Sequence, residues 1–251
     1  NIDDGSKNQC MSLQMLEIAA RSGTKAIFAT PHVIERANKP SWEEIKEKTQ
    51  QLRQLCAEAQ IDIMLYPGAE VQMNWELLPE LGATGAYCLN GGRYLLIELP
   101  AAEIPAYADE FWYELELKGI TPILAHPERY QQLRENPDLL LLWRRRGMLM
   151  QCNSGSFTGM FGSSVCENAK VLLANGLVDL LGSDGHRSEG RNTDMSRAAA
   201  VIRQLAGEEV LRQLTETNPQ AILKNQEIEL KQPKVLLEDK PKSFWQKLFG
   251  K

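Results

Sequence analysis

Apolar positions along this chain fall into two kinds of pattern that alternate: short unbroken runs closed by turn residues, and longer stripes of helical period. Unbroken runs suit strands buried on both faces, whereas apolar residues at i, i+3, i+4 and i+7 suit helices packed on a sheet. The first stripe predicts a helix over 12–22, with Leu13, Leu16 and Ala20 on one face and Gly23 as its stop, and a strand follows over 26–29. Ser41 is a good N-cap with Glu44 three residues on as a capping box, and Ile45, Leu52, Cys56 and Ala59 carry a stripe to about residue 60. Further strands are expected at 61–66, where Pro67-Gly68 breaks the run, and at 93–99, 121–125, 148–152 and 178–182. Helices at 107–118, 138–146 and 163–175 intervene, stopped by Gly119, Gly147 and Gly176, and 153–156 reads as a loop.

Strand and helix thus alternate about seven times once a first strand ahead of Asn1 is allowed, the spacing of parallel β-α units. Helices over 193–206 and 208–215 and a turn over 219–223 complete the unit. From Gln226 the chain becomes polar and Lys-rich, so residues 1–225 are read as one domain and 226–251 as a tail. In that tail Phe244, Trp245, Leu248 and Phe249 share one helical face among lysines. A sticky tail is favoured there over a membrane-surface or partner-docking helix.

The polar residues that close the strands change this from a fold into a candidate site. His32, His126 and His186, all the histidines of the chain, follow expected strands, as do Glu70 and Asp184. Glu98 stands inside the apolar run Tyr94-Leu95-Leu96-Ile97, where a carboxylate is costly unless paired or bound to a metal. One such residue alone is more often structural than a ligand. Parallel strands, however, bring all their C-terminal ends to one rim, so five coinciding ends converge in space. Imidazole mixed with carboxylate suits Mn²⁺, Fe²⁺ or Zn²⁺ rather than a structural zinc held by thiolates.

Composition removes competitors. A net charge of −5 with no basic stripe in the body argues against nucleic acid, and no window reaches the apolar length of a membrane span. The five cysteines form no C-x-x-C pair and fit a reducing cytoplasm. None is followed by arginine six residues later, and G-x-S-x-G, G-K-[ST] and G-x-G-x-x-G are all absent, which disfavours nucleophilic and nucleotide-binding readings.

The segments Asp3-Asp4-Gly5, Thr30-Pro31-His32, Pro67-Gly68-Ala69-Glu70, Leu96-Ile97-Glu98, Ala125-His126-Pro127-Glu128-Arg129-Tyr130 and Ser183-Asp184-Gly185-His186 with Gly190-Arg191 follow one another in order. Together they closely resemble the CpsB/CapC-type capsule-biosynthesis protein tyrosine phosphatases. These belong to the polymerase and histidinol phosphatase (PHP) superfamily, an α/β fold with a distorted (β/α)7 TIM-like barrel holding up to three metal ions. The resemblance implies that Glu70 bridges two metals, Asp184 completes the first site, Glu98 and His126 join Glu70 on the second, and Asp4, His32 and His186 hold the third. Arg129 and Arg191 are then the phosphate clamps, their forked guanidinium matching phosphate oxygens. The family opens with an Asp-x-His-x-His strand just ahead of Asp-Asp-Gly, so this chain is expected to start after it, with most of the first strand and two ligands missing.

The implied chemistry is hydrolysis of phosphotyrosine, with Mn²⁺, or else Fe²⁺, Co²⁺ or Zn²⁺, making hydroxide available near neutral pH and offsetting the phosphate charge. The protein is expected in the cytoplasm, and the implied partner is the autophosphorylated tail of a tyrosine kinase controlling polysaccharide export. Membrane contact is peripheral at most, and oligomerisation is open. Two rivals stand beside this: a small-molecule phosphoesterase such as a histidinol phosphatase, and a non-catalytic protein that binds the kinase or a membrane.

Overall fold

Every pairing between the named strands of the computed structural model is parallel, as unbroken apolar runs require. The structure describes residues 2–82, 85–231 and 233, so the aromatic face at Phe244 to Phe249 lies outside the described residues. The strands are β1 (Ala26–Ala29), β2 (His32–Val33), β3 (Met64–Pro67), β4 (Glu70–Gln72), β5 (Tyr94–Glu98), β6 (Thr121–Ala125), β7 (Leu149–Asn153) and β8 (Leu180–Gly182). They make a curled two-part sheet: β1 with β3, and six strands in the order β2-β4-β5-β6-β7-β8. A cavity of about 1350 Å³ is lined by both β1 and β8, and one end of it reaches His32, Glu70, Asp184 and His186.

Side-chain alternation along the six-stranded part separates two cores, and a third cluster holds Leu16, Ala19, Cys56, Ile63 and Leu65. Leu95, Ile97, Leu124, Met150, Cys152 and Leu181 face an outer layer containing Phe111, Leu115, Trp143 and Leu172, which belong to the helices α3 (Ala108–Leu117), α5 (Asp138–Arg145) and α7 (Ser163–Ala174). Full burial of such side chains is worth about 1.5–3 kcal/mol each. Tyr94, Leu96, Ile123, Ala125, Leu149 and Leu180 face the inside of the curl with Leu89 and Ile222. Glu98 shares the parity of Tyr94 and Leu96, and Asn153 shares that of Leu149. The same alternation that buries the core therefore aims Glu98 and Asn153, the last residues of β5 and β7, at the inner rim.

Sequence and structure agree most closely where local chemistry sets the boundary. The helix α2 (Trp42–Glu58) begins after the expected cap Ser41, whose hydroxyl accepts from the Glu44 N–H at 3.2 Å, whereas α1 (Gln9–Arg21), expected from residue 12, starts three residues earlier because the Asn8 side chain caps it. The expected strand at 61–66 is shorter and shifted, covering Met64–Pro67. Gln60 leaves α2 with φ 54°, and the Ile61 N–H is spent on the Cys56 carbonyl, so pairing with the β1 side starts only at Met64. The expected loop at 153–156 contains a helical turn, α6 (Ser154–Phe157), and the helix expected from 193 starts at Ser196. The last expected helix and turn form one run, Glu208–Arg212 passing through a π turn at Gln213–Thr217 into Asn218–Leu223. Beyond it the chain crosses the opposite end of the sheet, where the Gln226 carbonyl accepts from the Tyr94 hydroxyl at 2.6 Å.

Candidate metal centre and anion site

His32 and Glu70 do not simply follow strands; each opens a second, short strand after a break. The chain bends at Thr30-Pro31 and at Gly68-Ala69, and β2 and β4 then pair with His32 opposite Glu70. Gly68 lies close against Leu89 at its bend, where a Cβ would meet Leu89 Cδ2 at 2.6 Å and the leucine side chain would have to shift. The next strand continues the register, with Gln72 opposite Glu98. His126 and Asp184 end their strands differently, in left-handed backbone at φ 39° and 51°. Such a conformation costs non-glycine residues about 1–3 kcal/mol and persists where a site needs the side chain turned.

These side chains meet. His126 Nε2 lies 2.9 Å from Glu70 Oε1 and 3.9 Å from Glu98 Oε2, and His32 Nδ1 lies 3.6 Å from Glu98 Oε1. Asp4 Oδ1 stands 3.8 Å from His32 Nε2 and 3.7 Å from His186 Nε2. Two groups have donor atoms close enough to share an ion, Asp4 with His32 and His186, and His32 with Glu70 and Glu98. The first group has the composition expected for the third ion, whereas the second has His32 where His126 was expected, and His126 Nε2 faces Glu70 Oε1 beside it.

The electrostatics fit cations. Burial pushes the Glu98 carboxyl above the usual range, and the neighbouring Glu70 carboxylate adds to it. Burial alone would lower the His126 imidazole, but its hydrogen bond to Glu70 outweighs this and the net direction is upward. The buried Nδ1 atoms of His32 and His126 have no hydrogen-bond partner among the described residues. Crowded carboxylates with unpartnered imidazole nitrogens are a donor set that divalent ions satisfy.

Asp184 looks elsewhere. Its Oδ2 is met by Arg129 at 3.4 Å, and by Arg191 and the Asn153 amide at shorter range, while Oδ1 is 3.5 Å from His186 Nδ1. Arg129 and Arg191 also lie over the ring of Phe161, with Cζ 4.7 and 5.6 Å from its centroid. The two arginines singled out from the sequence therefore converge on one carboxylate, next to the imidazole–carboxylate cluster. Several participants were not singled out from the sequence. Asn153 is the last residue of β7. Asp3 accepts from the His32 and Gly5 N–H groups at 3.0 and 2.9 Å, and Arg187 donates to the Asp4 and Gly5 carbonyls at 2.6 and 2.7 Å, which fixes the Asp4 loop. Buried Glu128 accepts from the Asn153 N–H and the Ser156 hydroxyl.

A curled parallel sheet whose C-terminal rim gathers imidazoles and carboxylates beside paired guanidiniums has the make-up of a metal-dependent hydrolase acting on an anion. Comparison with known proteins narrows this. Residues 1–224 match the profile of the family described as capsular polysaccharide synthesis, CpsB/CapC, and the chain belongs to that family. It is 34% identical to the tyrosine-protein phosphatase YwqE of Bacillus subtilis, over 90% of this chain and 89% of that protein. It is 28% identical to the tyrosine-protein phosphatase CpsB of Streptococcus pneumoniae, over 90% and 95%. A solved structure from work on YwqE and CpsB, described as unique metal-dependent tyrosine phosphatases, superposes with a TM-score of 0.86 at 33% identity, covering 92% of this chain and 94% of that one.

Proposed function

We infer that this chain is a metal-dependent tyrosine phosphatase whose substrate is phosphotyrosine in a partner protein. The observation that carries the reading is the convergence of Arg129 and Arg191 on Asp184, directly beside the cluster of Asp4, His32, Glu70, Glu98, His126 and His186. Two forked cations next to a cation-binding rim suit a phosphate dianion.

Asp4, His32 and His186 would hold one ion, and Glu70, Glu98 and His126 a second, with Asp184 serving a further site. Mn²⁺ is the ion we favour, with Fe²⁺, Co²⁺ or Zn²⁺ as the other oxygen- and imidazole-compatible choices. Bound there, such ions supply Lewis acidity and offset the charge of the phosphate. The chain's own groups do the rest. Arg129 and Arg191 present in-plane N–H donors to the phosphoryl oxygens and stabilise the charge that builds on them as water adds to phosphorus and the ester P–O bond breaks. The leaving group is a phenol with a pKa of about 10, so its departure needs less protonation than that of an alkyl alcohol. Asp184 keeps the arginines gathered at the rim, and Asn153 and the left-handed backbone hold Asp184.

The family's capsular setting supports a tyrosine kinase of polysaccharide export as the partner, dephosphorylated on its tail. No helix among the described residues is long and apolar enough to cross a membrane. We favour the cytoplasm as the compartment because the five cysteines are free thiols, which reducing compartments maintain. The test is phosphate release by the Mn²⁺-loaded protein from a phosphotyrosine peptide of the kinase tail and from histidinol phosphate. Preference for the peptide is expected. Preference for histidinol phosphate, or no hydrolysis with any of the four ions, overturns the reading.

A further inference from the structure

We propose that Phe161 is the positioning residue that holds Arg129 and Arg191 together as one phosphate-binding pair. The proposal rests on the reading of those arginines given above.

The two guanidiniums reach the site from separate elements. Arg129 ends the short turn Pro127–Arg129 after β6, and Arg191 follows the left-handed Gly190 in the loop after β8. What they share is the Asp184 carboxylate and the Phe161 ring. Like charges brought this close repel, and Asp184 offers a single negative charge against two positive ones. The electron-rich face of an aromatic ring supplies further attraction for cations within about 6 Å of its centroid, and both Cζ atoms lie inside that distance.

The two shared contacts use different parts of the guanidinium. Asp184 accepts from in-plane N–H groups, the donors that phosphate oxygens would also use, so an incoming phosphate competes with it. Stacking on Phe161 uses the π face and leaves the N–H fork free. The ring is the contact that both arginines can keep while they bind the anion.

The ring is itself fixed from behind. Gly159 and Gly162 adopt φ 81° and 93°, closing the segment tightly, and the Met160 N–H donates to the Gly155 carbonyl at 3.0 Å. A Cβ at Gly155 would meet Phe161 Cε2 at 3.2 Å and Met160 Sδ at 2.9 Å, so the segment lies flush on the backbone of α6. That helical turn is tied back to the Arg129 segment, because the Ser156 hydroxyl donates to Glu128 Oε1 at 2.6 Å. Ring and arginine thus share one support.

The test compares Phe161→Leu, Phe161→Tyr, Gly155→Ala, Arg129→Ala and Arg191→Ala in the full chain. Two quantities are read: kcat and KM on a phosphotyrosine peptide with Mn²⁺, and the Kd of inorganic phosphate by calorimetry. Phe161→Leu is expected to raise both KM and the phosphate Kd about tenfold while kcat changes less than about threefold, because the lost contacts act on bound phosphate before and during reaction alike. Phe161→Tyr keeps the π face and restores both values. Gly155→Ala leaves the ring present but displaced, and moves KM in the same direction; it decides the matter if Phe161→Leu does not fold. Unchanged KM and phosphate affinity in Phe161→Leu, or in Gly155→Ala where that variant is the one that folds, overturns the proposal. If Arg129→Ala and Arg191→Ala themselves leave kcat/KM within about threefold, the clamp reading has failed and the role of Phe161 falls with it. Large losses in the arginine variants beside an unchanged Phe161→Leu would remove Phe161 alone.

Discussion

Strand β8 carries an arginine–aspartate cluster at each end, and the two are built to opposite purposes. Just before it, Asp179 is gripped by both terminal nitrogens of Arg144, both residues are about 5% exposed or less, and the Met150 N–H adds a further bond at 2.8 Å. Arg144 also donates to the carbonyls of Met148, Gly176 and Lys231. Just after it, Asp184 faces two arginines whose side chains are 33% and 27% exposed, its backbone is left-handed, and Arg191 Nε and Asn153 Oδ1 have no partner among the described residues. The first cluster is saturated and closed. The second has unused hydrogen-bonding capacity and open access, which a ligand can take up. In parallel sheets the N-terminal ends of strands serve stability and the C-terminal ends serve chemistry, and here the division falls across three residues of one strand.

Breaking each cluster separates the two roles. Asp179→Ala strands the buried Arg144 charge, and the expected cost is about 3–5 kcal/mol of folding free energy, read as a lower midpoint in urea. Molecules that remain folded at low temperature should keep their turnover. A cost near zero would show that the closed cluster is not what ties β8 to α5. Asp184→Asn inverts the outcome: kcat/KM on phosphotyrosine peptide should drop at least about a hundredfold, or about 2.7 kcal/mol, while the urea midpoint shifts by no more than about 1 kcal/mol. Retained activity in Asp184→Asn would separate that carboxylate from the chemistry.

Much of the rim was legible from the sequence because two local signals coincide there: an unbroken apolar run, and a histidine or carboxylate at its end. His126 and Asp184 follow from that rule, and Glu98 from the cost of a carboxylate within an apolar run. Asn153 obeys it too, and extending the rule from titrating groups to amides finds it. Helix limits set by neighbouring residues, such as the Ser41 cap, were equally visible. Features decided by distant contacts were not. The bend at Gly68 lies against Leu89, which belongs to a separate segment of the chain. Phe161 had no mark of its own, since an aromatic residue between glycines reads as a loop until Arg129 and Arg191 are seen above it. The buried Arg144–Asp179 pair was hidden for the same reason, its members lying on separate elements.

The contrast between the ends of β8 extends to metal binding. Mn²⁺ at ten times its Kd should stabilise the folded chain by about 1.4 kcal/mol, measured as a rise in thermal midpoint. His32 belongs to both ligand groups, so His32→Ala should remove most of that rise. Asp179→Asn should begin from a lower midpoint yet keep the full increment, because the closed cluster takes no part in the rim. An increment that survives His32→Ala would place the ions elsewhere.

The smallest expected effect tests how clean the division is, because one hydrogen bond at the rim belongs to structure. Tyr130 follows the Arg129 turn, and its hydroxyl accepts from the Leu99 N–H at 2.9 Å while lying 3.2 Å from the Leu99 carbonyl. Its ring centroid is 5.5 Å from that of His126. The hydroxyl therefore holds the chain where it leaves Glu98, and Pro100 provides no N–H that could take over. Tyr130→Phe preserves the ring beside His126 and deletes only this link, so the expected loss is about 1 kcal/mol of stability, seen in urea, with kcat/KM lowered only a few-fold through looser placement of Glu98. A loss in turnover as deep as that of Asp184→Asn, with stability unchanged, would move Tyr130 from the support of the rim into its chemistry.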